Sequence, residues 1–368
     1  MKKLKLPIKI CFLFFLPLSL GLTHMAVNNA QGVEAFYARP IYPVIGQLLS
    51  RLTGLAPFSV AEFFLVFFIL YLCYSLGHIF LTIIRRKAGS IQLLGHWVLN
   101  LMIGLSLVYF SFVVIWGLNY HRLPFGTIAQ LDTRPASIEE LGQLCEDLIE
   151  RANHIRLEVA EDENGVMTIP GGSRDVFSRA HLGYDIASER YPVLGGTMGK
   201  PKGVFFSEAM SYTGIAGIYF PFTGEANVNI TTPNALLPAT TTHEMAHQRG
   251  FAREDEANFI AYLSSSFHPD PDFQYSGLLL ALIHSMNQLY RYDPEAYQAL
   301  SAQYGEGIRR DLQAIRDYNA RYEGPIERTH TKINNAYLKS NHQEDGVHSY
   351  GRMVDLLIAD YRQRMLQP

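Results

Sequence analysis

The sequence has 368 residues, of which 48% are hydrophobic and only 18% are charged, against about 25% charged in an average globular protein. Charge is unevenly placed: residues 1–117 carry nine Lys and Arg against two acids, whereas residues 118–368 carry 22 against 32. The acidic C-terminal part argues against a nucleic-acid partner. Three scattered cysteines argue against a disulfide framework and against a cysteine-based zinc site.

Three apolar stretches precede residue 120 and indicate membrane-spanning helices, because a span needs about 20 consecutive apolar residues. The first stretch is short and follows four lysines, so it is either a retained anchor or a cleaved signal peptide. We favour the anchor, since no obvious small-x-small cleavage site precedes Gln31. The expected transmembrane helices lie at about residues 6–23, 60–84 and 91–117.

Positive residues set the expected orientation. The N-terminal lysines and the cluster Arg85–Lys87 should both stay in the cytoplasm, because Lys and Arg are enriched in cytoplasmic loops. The protein is then a multi-pass protein of the bacterial cytoplasmic (inner) membrane, and residues 119–368 form an extracytoplasmic domain. Residues 24–57 become an external loop that packs on this domain.

The expected fold class of residues 119–368 is α+β and mostly helical. Ser137 and Glu140 form a capping box at the start of a helix. Residues 203–207 have the composition of a strand, and residues 215–230 that of a hairpin with its turn near Thr223-Gly224. A further helix is expected after Ser276. About 250 residues are enough to bury a full core.

Residues 243–247 read His-Glu-Met-Ala-His. On a helix, positions i and i+4 share a face, so His243 and His247 can present ring nitrogens to one zinc ion. Glu244 then lies beside the open coordination position, where it can take a proton from the attacking water and return it to a leaving amine. Three threonines precede the motif, and Gly250 follows as a helix stop. The alternative is a solvated helix face with two unligated histidines.

A catalytic zinc usually has three protein ligands, and an acidic segment follows the motif. Residues 251–261 are expected to form a second helix that packs antiparallel to the first after the Gly250 turn. Glu254 and Asn258 share one face of it, with small Ala257 and Ala261 beside them. The acids at its start also suit the helix dipole alone, and the two interpretations do not exclude each other.

The string Glu254-x-x-Ala257-Asn258 resembles the Glu-x-x-Ala-Asp/Asn element of gluzincin peptidases, which also occurs in membrane-integral prenyl-protein endopeptidases and in zincins that cleave phage repressors. The resemblance implies that Glu254 is the third zinc ligand. The gap of seven residues after His247 is short for such enzymes, so Glu256 is an alternative third ligand.

A second resemblance covers nearly the whole chain. The three apolar segments, together with residues 213–229, 243–263 and 346–357, resemble a bacterial family of membrane-anchored proteins that carries the label of a domain of unknown function and is regarded as zinc metallopeptidases. This resemblance implies a zincin-like fold and no particular substrate.

Zincins commonly hold an extended substrate against an edge strand beside the active-site helix. Residues 216–229 are the best candidate for that edge, although a plain core hairpin is an equal alternative. Possible substrate or transition-state contacts are Tyr219, Asn229 and Tyr350. We interpret His268, His284 and His348 as ordinary core or surface histidines.

Taken together, the residues predict a membrane-anchored zinc metallopeptidase that cleaves a peptide or protein substrate, with Zn²⁺ on His243, His247 and Glu254 and with Glu244 as general base. Two alternatives stay open: a non-proteolytic zinc-binding envelope sensor or scaffold, and a zinc amidase acting on cell-wall peptides. The motif follows the last span by about 125 residues, which favours a site outside the bilayer. The sequence does not determine the oligomeric state.

Overall fold

The computed structural model describes residues 6–85, 90–340 and 352–366, and most of them are helical. Three helices in this part of the chain are long and apolar enough to cross a membrane, and they confirm the three expected spans: span 1 (Lys9–Val27), span 2 (Val60–Ile84) and span 3 (Ile91–Ile115). Span 1 belongs to a helical run made of Leu6–Cys11, a 3₁₀ turn at Phe12–Phe14, and Phe15–Val27, and span 3 belongs to the helix Ser90–Ile115.

Spans 1 and 3 run parallel to each other. The ammonium of Lys9 donates a hydrogen bond to Oδ1 of Asn100 (2.9 Å), and further along both helices the hydroxyl of Ser106 donates to the carbonyl of Phe12 (3.1 Å). Lys9 therefore has a polar partner on the neighbouring span.

Two carboxylates join the start of span 2 to the large domain. One belongs to the domain and accepts from N–H groups of the span, and the other belongs to the span and accepts from N–H groups of the domain. Glu225 accepts hydrogen bonds from the N–H groups of Val60 (3.0 Å) and Ala61 (2.8 Å) in the first turn of the span. Glu62 of the span accepts from the N–H groups of Phe205 (2.9 Å) and Phe206 (2.7 Å). A carboxylate at a helix N-terminus is favoured by the helix dipole. We call this arrangement the carboxylate clasp.

The segment between spans 1 and 2 is largely helical and is not the loop that we expected. It consists of Ala30–Val33, a π-helical turn at Glu34–Ala38, and the helix Tyr42–Thr53, which we call the bridging helix. The hydroxyl of Thr53 donates to the carbonyl of Thr223 (2.9 Å). The expected packing of this segment on the following domain is therefore confirmed.

The large domain follows span 3. The predicted capping box is present: Ser137 and Glu140 bond reciprocally at the start of Ile138–Ile155. The helix expected after Ser276 begins earlier, at Pro271, and packs between Ile138–Ile155 and Glu254–Ser266 in the main apolar core. The α- and 3₁₀-helices in this region are Gly117–His121, Phe125–Ile128, Ile138–Ile155, Arg156–Glu158, Gly172–Arg179, His181–Arg190, Pro192–Leu194, Ser207–Ser211, Leu237–Gln248, Glu254–Ser266, Pro271–Tyr292, Pro294–Ser301, Glu306–Tyr322, Pro325–Ser340 and Arg352–Met365.

The sheet has three short strands, β1 (Lys202–Gly203), β2 (Gly217–Phe220) and β3 (Glu225–Val228), in the order β1-β3-β2. The predicted hairpin is confirmed as the antiparallel pair β2–β3, and β1 is parallel to β3. The strand predicted over 203–207 is wrong beyond Gly203. The N–H of Val204 still bonds to the carbonyl of Val228 in β3 (3.0 Å), but the N–H groups of Phe205 and Phe206 are bound by the carboxylate of Glu62 and are not available to a neighbouring strand.

Candidate metal centre

The motif lies on the helix Leu237–Gln248, and the acidic segment lies on Glu254–Ser266. Gly250, at φ +83°, occupies the left-handed conformation that ends the first helix, a conformation that glycine adopts at little cost. Glu254, at the start of the second helix, lies 3.7 Å from His247 near the end of the first, whereas Ser265, near the end of the second helix, has its hydroxyl 3.2 Å from that of Thr242 in the middle of the first. The two helices are therefore antiparallel, as the sequence predicted.

Three potential metal donors converge between these helices. The Nε2 atoms of His243 and His247 lie 3.1 Å apart. The carboxylate of Glu254 places Oε2 3.3 Å from Nε2 of His243 and Oε1 3.7 Å from Nε2 of His247. All three donor groups lie within 4.8 Å of one another. We call these residues the donor cluster.

The protonation of the cluster favours a cation. Nδ1 of His247 donates to the carbonyl of Phe251 (2.7 Å), which leaves the lone pair of Nε2 directed into the cluster. Burial lowers the pKa of His247 to about 4, so this ring is neutral. Burial also lowers the pKa of His243, but a hydrogen bond to Glu254 and the charge of Glu244 outweigh it and raise that pKa to about 9. The cluster thus attracts one positive charge.

Glu244 lies beside the cluster and is almost fully buried. Burial raises the pKa of its carboxyl group to about 8, the charge of Glu254 adds to the rise, and His243 and the main-chain N–H of Tyr219 oppose it. Its Oε2 has no hydrogen-bond partner among the described residues. A buried acceptor without a partner is costly, so this oxygen suits a small polar molecule that enters the site.

The free edge of β2 lies next to Glu244. The N–H of Asn229 pairs with the carbonyl of Ala216 (2.9 Å), so alternate residues of β2 bond to β3, whereas Gly217 and Tyr219 direct their main-chain groups away from it. A Cβ atom at Gly217 would come within 2.6 Å of Cγ of Glu244. Only glycine allows this approach between the strand and the motif helix.

A cavity of about 400 Å³ continues from this edge. Ala216, directly before Gly217, lines it, and so does Thr240, one helical turn before Glu244. Its apolar wall includes Ile215, Leu236 and Ile315, and the carboxylates of Glu323 and Glu327 also line it. A cavity of this volume is large enough to hold a side chain of an extended ligand.

Several residues near the cluster were not predicted. The ring of Trp116, directly after span 3, lies 6.0 Å from the ring of His247. The hydroxyl of Tyr42 donates to the carbonyls of His247 (3.2 Å) and Gln248 (3.1 Å) and lies 3.1 Å from the hydroxyl of Tyr219. Although about 125 residues separate span 3 from the motif, the fold brings the motif helix back to the end of that span.

Two phenols and one further histidine also lie close to the cluster. The hydroxyls of Tyr120 and Tyr337 are 3.0 Å apart. Burial raises the pKa of both hydroxyls, and the charge of Glu254 contributes, so both stay protonated donors. Burial, with a contribution from His243, lowers the pKa of His284 to about 4. We interpreted His284 as an ordinary histidine from the sequence, because nothing in its neighbouring residues marks it.

Some predicted site residues do not join the cluster. Oε1 of Glu256 accepts hydrogen bonds from the N–H of Phe125 and from Arg253 (2.7 Å each), and its carboxylate lies outside the donor cluster. Asn258 is not one of the three donors, and its side chain makes a small contribution to the raised pKa of His243.

Of the three possible substrate contacts, Tyr219 is buried beside His247, with ring centroids 6.5 Å apart. The side-chain amide of Asn229 is occupied by contacts within the chain. Its side chain is fully buried, and both amide atoms are engaged within the chain, with Ser211, Ile215 and Thr231. Tyr350 lies outside the described residues.

Comparison with known proteins assigns a family to the chain. The family described as "Protein of unknown function (DUF3810)" matches residues 37–358, a range that includes spans 2 and 3, the donor cluster and the sheet. No curated protein and no solved structure matches the chain.

Proposed function

The chain belongs to this family of proteins of unknown function, and from the geometry of its donor cluster we propose that it is a membrane-anchored zinc metallopeptidase with a zincin-like catalytic domain. The observation that carries the proposal is the combination of His243, His247 and Glu254 within 4.8 Å with the unpartnered, buried carboxyl oxygen of Glu244 beside them. A purely structural metal site has no use for such a group.

The donor set fits zinc. Four ligands about 2.0–2.1 Å from a tetrahedral zinc ion lie roughly 3.3–3.4 Å from one another, and the distances between the donor atoms here are 3.1, 3.3 and 3.7 Å. Two imidazoles and one carboxylate leave one coordination position for catalysis. When bound, zinc supplies Lewis acidity at the carbonyl that is attacked and lowers the pKa of water.

The chain's own residues then have distinct roles. Glu244 takes the proton of the attacking water and returns it to the leaving amine. Burial raises the pKa of its carboxyl group, which makes the carboxylate a stronger proton acceptor. Tyr120 and Tyr337 are protonated hydroxyl donors near Glu254, and they join Tyr350 as candidates for stabilising charge on the substrate oxygen.

The proposed substrate is an extended peptide segment that adds to the free edge of β2 and places one side chain in the adjoining cavity. The free edge at Gly217 and the lining of that cavity by Ala216 and Thr240 support this binding mode. The carboxylates of Glu323 and Glu327 favour a substrate side chain with a positive end.

We further propose that the large domain faces away from the cytoplasm of a bacterial cell, at the inner membrane. The supporting observation is that spans 1 and 3 run in the same direction, toward the large domain, so Lys9 and Arg85 lie at the ends of the spans that are away from that domain, where the positive residues of a cytoplasmic face are expected. A reporter that is active only outside the cytoplasm should work when fused after Pro368. Activity of a cytoplasmic reporter at that position would reverse the orientation.

The experiment compares the full-length protein, purified in detergent, with its Glu244→Gln variant. Each protein is analysed for metal content and incubated with a pool of denatured proteins and, separately, with muropeptides. We expect about one zinc per chain in both, and a fall in hydrolysis by roughly 100-fold or more in the variant, the usual scale for loss of a general base. Glu163→Gln, at an exposed position, is the matched control.

Each outcome has one meaning. Cleavage of the protein pool that depends on Glu244 supports the peptidase. Cleavage of muropeptides alone would replace the peptidase with a cell-wall amidase. Equal hydrolysis by wild type and Glu244→Gln would overturn the mechanism, and zinc binding without any hydrolysis would leave the sensor as the better explanation.

A further inference from the structure

The bridging helix Tyr42–Thr53 has two faces of opposite character. One face is buried and carries Tyr42, Gly46 and Ser50. The other face is exposed and apolar. Its side chains are spaced three or four residues apart, so they form one narrow stripe that runs along the helix and includes one residue beyond each end. The stripe consists of Ile41, Val44, Leu48, Leu52 and Leu55, which are 47–85% exposed.

The buried face is fixed to the large domain, so the helix cannot turn its apolar stripe inward. Tyr42 bonds to the carbonyls of His247 and Gln248. The hydroxyl of Ser50 accepts the N–H of Gly199 (3.1 Å). Both contacts would break if the helix rotated to hide the stripe. The stripe therefore needs a partner outside the described residues, since contiguous exposed apolar surface marks an interaction site.

The position of the stripe identifies the partner. The bridging helix lies between the domain-side ends of two spans: span 1 ends at Val27, and span 2 begins at Val60, shortly after Thr53. Phe58 at that junction is half-exposed. Phe205 and Phe206, whose N–H groups are held by Glu62 in the first turn of span 2, are also exposed. The stripe and these aromatic rings therefore extend the apolar surface of the spans at the end that is next to the large domain.

We propose that the bridging helix is a fourth membrane element, which lies in the plane of the bilayer with its apolar stripe among the lipids at the surface that faces the large domain. A helix with one apolar face and one polar face takes this position at an interface, and aromatic side chains such as Phe58, Phe205 and Phe206 deepen the contact. The exposed side chain of Arg51 suits lipid phosphates. This proposal does not depend on the hydrolytic function.

The test uses the full-length protein in lipid nanodiscs, with Cys11 and Cys73 replaced by alanine and with one environment-sensitive fluorophore per molecule. Cys145 is fully buried in the folded protein, and the parent protein without an added cysteine checks that it takes up no label. The fluorophore is attached in separate samples at Leu48→Cys and Val44→Cys. Glu295→Cys, on an exposed helix of the large domain, is the aqueous control, and Phe67→Cys, exposed on span 2, is the lipid control. Quenching by spin-labelled lipids is compared with quenching by iodide. Because 44 and 48 are exposed, the substitutions leave the packing of the helix unchanged.

We expect spin-labelled lipid to quench the fluorophores at 44 and 48 at least roughly threefold more than at 295, approaching position 67, with iodide giving the reverse order. Iodide quenching at 44 and 48 equal to that at 295 would show that the stripe faces water and would overturn the proposal. Protection from both quenchers would show that a second protein molecule covers the stripe, which would also overturn it.

Discussion

Gly217 of β2 and Glu244 of the motif helix are packed so closely that the glycine has no room for a side chain: a Cβ atom would lie 2.6 Å from Cγ of Glu244. The strand edge that is available to a peptide and the carboxyl group that is available to water thus meet at one contact. Any group added at position 217 has to displace the carboxylate or the strand.

Gly217→Ala should therefore reduce hydrolysis strongly while zinc content stays unchanged. We expect a loss of stability of about 1–3 kcal/mol from overpacking. The measurements are kcat/KM, metal content and denaturant unfolding. Gly142→Ala is the matched control, because Gly142 lies in the helix Ile138–Ile155 with nothing within 4 Å of its added Cβ, and there alanine stabilises by up to about 1 kcal/mol. Wild-type activity in Gly217→Ala would contradict the role given to this contact.

The choice between Glu254 and Glu256 as third ligand predicts a difference between two isosteric variants. Glu254→Gln should lose zinc, because it removes the charge that lies 3.3 Å from His243. Glu256→Gln should keep zinc, because its carboxylate bonds to Phe125 and Arg253. Metal analysis after dialysis checks both. The opposite pattern would transfer the ligand role to Glu256.

A third prediction concerns the buried ion pair of Arg122 and Glu34. Two hydrogen bonds of 2.9 and 3.0 Å join them, and Arg122 also donates to the carbonyl of Gly250 (3.0 Å) at the turn of the metal centre. Arg122→Met leaves a buried carboxylate without this partner, which costs about 3–5 kcal/mol. Denaturant unfolding in detergent measures the change.

The control for this pair is Arg134→Met, since Arg134 pairs with Asp132 at the surface and such pairs contribute about 0–1 kcal/mol. The double variant Arg122→Met with Glu34→Gln should recover part of the lost stability, because no buried charge remains. Equal losses of unfolding free energy in Arg122→Met and Arg134→Met would show that the buried pair stabilises the fold no more than the surface pair does.

The fourth prediction concerns pH. His268 stacks on Phe273 with ring centroids 3.8 Å apart, its Nε2 donates to the carbonyl of Arg179 (3.1 Å), and its Nδ1 accepts the N–H of Asp270 (3.0 Å). Burial lowers its pKa, against weaker opposing effects from Arg179 and Asp270. The stability from this neutral ring is present above the unfolded-state pKa of about 6.5 and is lost as the pH falls below it.

Unfolding free energies measured between pH 7.5 and pH 5 should therefore fall less steeply for His268→Gln than for wild type, by at most about 1.4 kcal/mol per pH unit. His181→Gln, at an exposed position, should leave the slope unchanged. A slope for His268→Gln equal to that of wild type would mean that the ring titrates normally in the folded protein.

The features that the sequence predicted well are those that depend on neighbouring residues. Helix periodicity places His243 and His247 on one face, Gly250 ends that helix, and the capping box at Ser137 follows from its own four residues. The preference for Glu254 over Glu256 rests on the resemblance of its string to the gluzincin element, and it is the carboxylate of Glu254 that lies beside both histidines.

The features that the sequence did not predict depend on contacts between distant segments. Tyr42 and Trp116 reach His247 across 205 and 131 positions of the chain, and neither has a local pattern that marks it. The strand predicted over 203–207 stops early for the same reason, because Glu62 of span 2 binds the N–H groups of Phe205 and Phe206. Asn229 is engaged by Ser211, Ile215 and Thr231, contacts that the sequence around it does not indicate.

The carboxylate clasp has a mechanical consequence. Glu225 of β3 accepts hydrogen bonds from the first turn of span 2, and Glu62 of the span accepts from the residues that follow β1, so the start of span 2 is tied to the sheet at two points. A span that is longer than the bilayer is thick tilts to fit it. We expect such a tilt of span 2 to pull on β3 and, through β3, on β2, the strand whose free edge is proposed to bind the peptide.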